Sequence, residues 1–171
     1  MGIYFNNAAT SWPKPRVVAE SMANFILKAG ANLARGSSSC RDIKTLDMVT
    51  DCRANIASLF GGYCDHDPRY VTFTSNVTEA LNLVIKGFLR PGMTVLTSSM
   101  EHNAVMRPLR HLERDGVNLV VVQCDEKGYM HEEIFEDKLK KHMPDLVVLN
   151  HASNVCGTLQ DLKALCRICR D

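Results

Sequence analysis

No stretch of this 171-residue sequence approaches the roughly 20 consecutive apolar residues needed to span a bilayer. The opening MGIYFNNAAT lacks the basic region and apolar core of a secretory signal, and Asn6 stands where a myristoylation signal needs Ser or Thr. Charge imbalance is missing too. Twenty basic side chains face 19 acidic ones, the net charge is +1, and no long run of one sign occurs. That excludes the electrostatic footprint of a nucleic-acid binder or of a protein that coats anionic membranes. There is no GxGxxG after an apolar run and no GxxxxGK[ST] anywhere, so dinucleotide and nucleoside-triphosphate sites are unsupported. These absences together predict a cytoplasmic chain with neither nucleic acid nor membrane as partner.

Cysteine, by contrast, is plentiful. Seven residues at scattered spacing are an odd number, and they read as reduced thiols, several of them core-filling. Cys166-Arg-Ile-Cys169 has CxxC form but falls in an apparent helix with no second pair nearby, so it is expected on a buried helical face and not as a zinc site. Cys64-Asp65-His66 reads as a loop with incidental ligand types, and no metal site is predicted.

The remainder suits one ordinary domain, with 46% hydrophobic and 23% charged residues. Residues 1–62 have a helical texture. Val18, Met22, Phe25 and Ile26 recur at helical spacing after Pro13 and Pro15, and a glycine- and serine-rich break follows. A second helix is expected with Leu46, Val49, Ile56, Leu59 and Phe60 on one face, ending at Gly61-Gly62. From Tyr70 the texture changes, and a second part of the chain is taken as 63–171. Four short apolar runs, YVTF (70–73), TVLT (94–97), LVVV (119–122) and LVVL (146–149), are continuous, as strands buried on both faces require. Helical patterns lie between them, through Ala80, Val84 and Phe88 and through Ile134 and Leu139. This order predicts an α/β fold: a helical N-terminal arm, then a mostly parallel sheet built by crossovers.

Ligands of such sheets bind beyond the carboxyl ends of the strands. Three of these ends are rich in hydrogen-bonding side chains: Thr74 to Glu79, Ser98 to Asn103, and Asn150 to Asn154. Ser75 or Asn76 could cap a helix, with Glu79 completing a capping box. The same helix start could hold an anion on unpaired N–H groups, and hydroxyls of Ser75 and Thr78 would add roughly 1.5–3 kcal/mol per bond. His102 and Asn154 would face the same cleft.

YFNNAATSWPKP, FTSNVTEALNLVI, SSMEHNAVMRP and LNHASNVCGTLQDL, in this order and spacing, resemble the class V aminotransferases, in particular the cysteine desulfurase branch. These are pyridoxal-phosphate-dependent enzymes of fold type I. The resemblance covers essentially the whole chain and implies that residues 63–171 are the first part of the large cofactor-binding domain. It implies that Asn76, Val77 and Thr78 form the phosphate cup and that His102 stacks on the pyridine ring and assists proton transfer. Asn154 would bond the cofactor's phenolic oxygen, Asn7, Ala8 and Ala9 would line the substrate side, and Arg35 would lie on a loop near the site. The cup carries Asn76 where the family has glycine, and asparagine tolerates the left-handed backbone such a turn demands.

The implied substrate is a small amino acid that loses its Cα proton. A desulfurase then passes sulfur to its own cysteine and leaves alanine, whereas a class V aminotransferase completes a half-transamination. Homodimerisation and a sulfur-acceptor protein come with the family. Its Schiff-base lysine, ring-pairing carboxylate, nucleophilic cysteine and carboxylate-binding arginine would all follow residue 171. The expectation is therefore that the 171 residues alone are inactive, and that they fold poorly with unpaired sheet edges. A truncated paralogue acting as a binding module, and an α/β anion-binding domain unrelated to pyridoxal phosphate, are the non-catalytic alternatives.

Overall fold

A computed structural model describes residues 2–33, 39–61 and 65–170. The chain divides into two compact units, Met1–Phe73 and Thr74–Asp171. No described helix is long and apolar enough to cross a membrane.

In the first unit, Pro15 precedes helix α1 (Arg16–Asn24), which runs on as a π-turn over Phe25–Ala29 and stops at Gly30 with φ 31°. Proline is compatible with this position because the first amides of a helix have no intrahelical acceptor. Helix α2 (Cys40–Leu59) starts on a capping box. The Ser39 hydroxyl accepts from the Asp42 N–H, and the Asp42 carboxylate accepts from the Ser39 N–H. The expected apolar face of α2 is only partly right. Thr45 and Ala57 are buried, whereas Leu46, Leu59 and Phe60 are exposed. Leu59 and Phe60 fall at the frayed end, where the chain already leaves the helix.

The expected strand at 70–73 is not formed. Asp67 caps a 3-10 turn over Pro68–Tyr70 through the Arg69 N–H, and the Val71 N–H closes on the Pro68 carbonyl. Val71 has an extended backbone, yet no described residue pairs with it in a ladder. The segment lies along α2 instead, with the Arg53 guanidinium 5.9 Å from the centre of the Phe73 ring.

The second unit is a three-layer sandwich. Its sheet has strands β1 (Thr94–Ser98), β2 (Asn118–Val122) and β3 (Leu146–Val148) in the order β2-β1-β3, all parallel. Three of the four predicted strands are therefore present. Register sets Thr97 opposite Val121 on one side and Val148 on the other. Alternate strand residues face opposite layers, as period-two geometry dictates. Val95, Leu119, Leu146 and Val148 pack with Ile85 and Leu89 of α3 (Val77–Phe88) and its exit, and with Val105 and Leu109 of α4 (Asn103–Arg114). Leu96, Val120, Val122 and Val147 pack with Phe135 of α5 (Glu132–His142) and Leu165 of α6 (Leu162–Ile168).

The sequence periodicity named the wrong stripe in α3 and was half right in α5. In α3 the core stripe is Leu81, Ile85 and Leu89, while Val84 and Phe88 are exposed; in α5 it is Phe135 and Leu139, with Ile134 exposed. Each helix carries apolar residues on adjacent stripes, and only packing chooses between them. The CxxC reading is also corrected. Leu165 supplies the buried face of α6, and both Cys166 and Cys169 are exposed.

Leu109 is fully buried, whereas Leu83 on the outer face of α3 is 63% exposed. Leu109→Ala is expected to lower unfolding stability by about 2–5 kcal/mol. Leu83→Ala should change it by no more than about 0.5 kcal/mol. Urea melts of both variants check the assignment, and equal losses would contradict it.

Candidate functional site

The loop after β1 is stitched to both neighbouring strand ends. One oxygen of Glu101, Oε1, accepts from the Ser98 hydroxyl at 2.7 Å and from the Asn150 N–H at 2.8 Å. The Ser99 N–H donates to the Val122 carbonyl at 2.9 Å, and Ser99 Oγ accepts from the Cys124 N–H at 2.9 Å. Burial pushes the Glu101 carboxyl above its usual range, and these hydrogen bonds pull the other way.

This stitched loop fixes His102, the N-cap of α4. Its Nδ1 accepts from the Ala104 N–H at 3.0 Å. A ring nitrogen that accepts carries no proton, so the neutral imidazole keeps its proton on Nε2. His102 is exposed.

Asn76 caps α3, its Oδ1 accepting from the Glu79 N–H at 2.9 Å. Glu79 does reach back, but to the Ser75 N–H at 2.9 Å, one residue before the cap. Asn76 has φ −166°, an extended backbone open to any residue, so the left-handed conformation expected of it is not used. Among the described residues nothing accepts from the N–H groups of Val77 or Thr78. These are the first-turn donors that give a helix start its pull on anions.

Thr78 and His102 line one cleft of about 320 Å³ between α3 and α4. Asn82 and Lys86 continue the Thr78 stripe at helical spacing, and Arg107 and His111 do the same from α4. Among the described residues no carboxylate lines the cleft, so Lys86 and Arg107 bias it towards an anion. Neither was among the residues expected at the site. The signal for them was available, since 78, 82 and 86 are one helical stripe, as are 107 and 111.

Asn154 lies in an exposed turn after β3, at the same edge of the sheet, but it does not line this cleft. Asn7, Ala8 and Ala9 form a turn of their own in the first unit, where Asn7 Oδ1 accepts from the Trp12 N–H at 3.1 Å. Arg35 lies outside the described residues.

The turn that carries Asn154 also carries Cys156. Ser153 Oγ accepts from the amides of Val155 and Cys156, and Cys156 Sγ stands 3.2 Å from Thr158 Oγ1. The Ser153 hydroxyl and then that of Thr158 lower the exposed thiol to about 7.

A family model described as Aminotransferase class-V matches residues 3–171. The chain belongs to the class-V aminotransferase family. It is similar to a probable cysteine desulfurase of Methanothermobacter thermautotrophicus, 31% identical over 166 residues, covering 96% of this chain and 40% of that protein. It is likewise similar to the cysteine desulfurase IscS of Vibrio atlanticus, 35% identical over 176 residues, covering 98% and 41%. Among solved structures, the apo cysteine desulfurase of Thermococcus onnurineus NA1 superposes with a TM-score of 0.87 at 29% identity, covering 99% of this chain and 41% of that one. The chain thus spans about two-fifths of the length of these class-V relatives.

Two titrations follow. A glutamate raised in the folded state contributes stability that is present at low pH and lost as pH rises through its folded value. Stability of the native chain relative to Glu101→Gln should therefore fall as pH rises from below 4.5, the ordinary glutamate value, and then level off. Urea melts across that range test it, and a pH-independent difference would contradict it. Alkylation of Cys156 by iodoacetamide, followed by peptide mapping, should be half-maximal near pH 7, with Ser153→Ala moving the midpoint upward.

Proposed function

We propose that this chain is the first part of a pyridoxal-phosphate-dependent cysteine desulfurase. In this reading residues 1–62 form the arm and 63–171 the start of the large cofactor-binding domain. The observation that carries the proposal is the meeting of three features in one cationic cleft: the Thr78 hydroxyl, the start of α3 and the His102 imidazole. The likeness to cysteine desulfurases supports the same reading, as does class-V membership for the cofactor.

The donor set fits a phosphate dianion. The Thr78 hydroxyl and the N–H groups of Val77 and Thr78 offer hydrogen bonds, and Lys86 and Arg107 offset charge. Asn76 holds the turn by capping and leaves those amides free. Pyridoxal phosphate supplies the electron sink that makes a substrate Cα–H acidic. His102 would stack against the ring of that group, and its Nε2, left outward of the Ala104 hydrogen bond at Nδ1, would pass a proton to or from substrate. By the family resemblance Asn154 would bond the cofactor's phenolic oxygen, and the same resemblance assigns Asn7, Ala8, Ala9 and Arg35 to substrate binding. Cysteine is the substrate and alanine a product, with sulfur leaving through an acceptor protein. The working enzyme is a homodimer in the cytoplasm, and the six cysteines seen as free thiols are at home in a reducing compartment.

The test uses the full-length protein. Thr78→Ala is expected to raise the Kd for pyridoxal phosphate by roughly tenfold to a hundredfold, one charge-assisted hydrogen bond. Its melting should barely change, because capping belongs to the Asn76 side chain. An unchanged Kd in absorbance titrations sinks the cofactor reading. Release of alanine from cysteine supports desulfuration, and a 2-oxo acid product in its place assigns an aminotransferase.

A further inference from the structure

We infer that Cys166 and Cys169 form a two-sulfur chelate for a soft, two-coordinate monovalent cation of the copper(I) type. The site is separate from the cofactor cleft and does not depend on the function proposed for it. Both thiols are free and exposed, Cys166 on the last turn of α6 and Cys169 at its C-cap with a helical backbone, and Leu165 supplies the buried face. Residues three apart on a helix set their Cβ atoms on one side, about 5–6 Å from each other.

That spacing decides what the pair can hold. A disulfide needs Cβ atoms about 3.5–4.5 Å apart, so it would have to unwind the turn. Zinc needs four ligands, and among the described residues no group of three or more His, Cys, Asp or Glu gathers at metal-binding distance. A linear two-coordinate ion with metal–sulfur bonds of about 2.3 Å wants its sulfurs about 4–5 Å apart, which rotation about the two side chains supplies without moving the backbone. Binding releases both thiol protons: Cu⁺ plus two thiols gives a bis-thiolate of net charge −1 and two H⁺. Lys163 lies one turn before Cys166 and Arg170 one turn after it, so cationic positions flank that negative charge.

The full chain, reduced and anaerobic, is titrated against the coloured copper(I)–bicinchoninate complex. The native protein is expected to take about one equivalent more copper(I) than Cys166→Ser, and Cys169→Ser should lose that whole equivalent as well, because one thiolate alone does not compete. Single variants that match the native stoichiometry overturn the proposal. A second measurement needs no variant. With copper(I) bound, alkylation of Cys166 and Cys169 in the native chain should slow together by roughly tenfold or more, while the exposed Cys40 stays reactive. Alkylation of the pair at the rate seen without copper(I) overturns it too.

Discussion

One carboxylate oxygen governs the working edge of the second unit. Glu101 Oε1 draws the Ser98 hydroxyl and the Asn150 amide onto itself, tying the end of the central strand to the chain leaving its neighbour. The group is partly buried, and burial disfavours its charge. It therefore depends on both donors being in place, and they depend on it. Ser99 completes the clasp by binding the backbone on the β2 side. The loop between β1 and α4 consequently has little freedom. His102 inherits that rigidity, because it is the next residue and its ring is pinned by the Ala104 amide.

The opposite wall of the cleft is set by different physics. The turn before α3 is closed by Asn76 and Glu79, each satisfying a backbone N–H outside the next two positions. A cap and an anion site compete in principle for the same donors. Here they are divided, with Glu79 and Ser75 serving the caps while the Val77 and Thr78 amides stay unused and Thr78 lines the cleft. Partly because α3 and α4 pack through one shared core, the two helix starts and the cationic side chains behind them remain in register.

The strands at 94, 118 and 146 were legible because packing on both faces leaves a continuous apolar run. Residues 70–73 have the same texture and no ladder, since a strand is defined by a partner that local sequence does not contain. Val84 and Phe88 misled for a different reason: α3 is apolar on two stripes, and tertiary packing selected Leu81, Ile85 and Leu89. At the site, Thr78 and His102 were named from the chain and do share a cleft. Lys86 and Arg107 were not: each lies on a helical stripe legible in the chain, but that the two stripes meet is decided only by the packing of α3 against α4. Cys166 and Cys169 were assigned inward on type alone, although Leu165 beside them was the better candidate for the core.

Strand order also has a kinetic consequence. β1 meets β2 across a separation of 24 residues, as in the contact of Thr94 with Asn118, but it meets β3 across 51, as in the bond from Thr97 to the Val148 carbonyl. Loop-closure entropy favours the shorter link, so the β1–α4–β2 unit can assemble while the other side of β1 is still open. During that interval the most buried strand of the sheet presents a bare row of amides and carbonyls to any passing chain. Docking of β3 covers that side of β1, so the short Leu146–Val148 segment shields the central strand and itself becomes the edge of the described sheet.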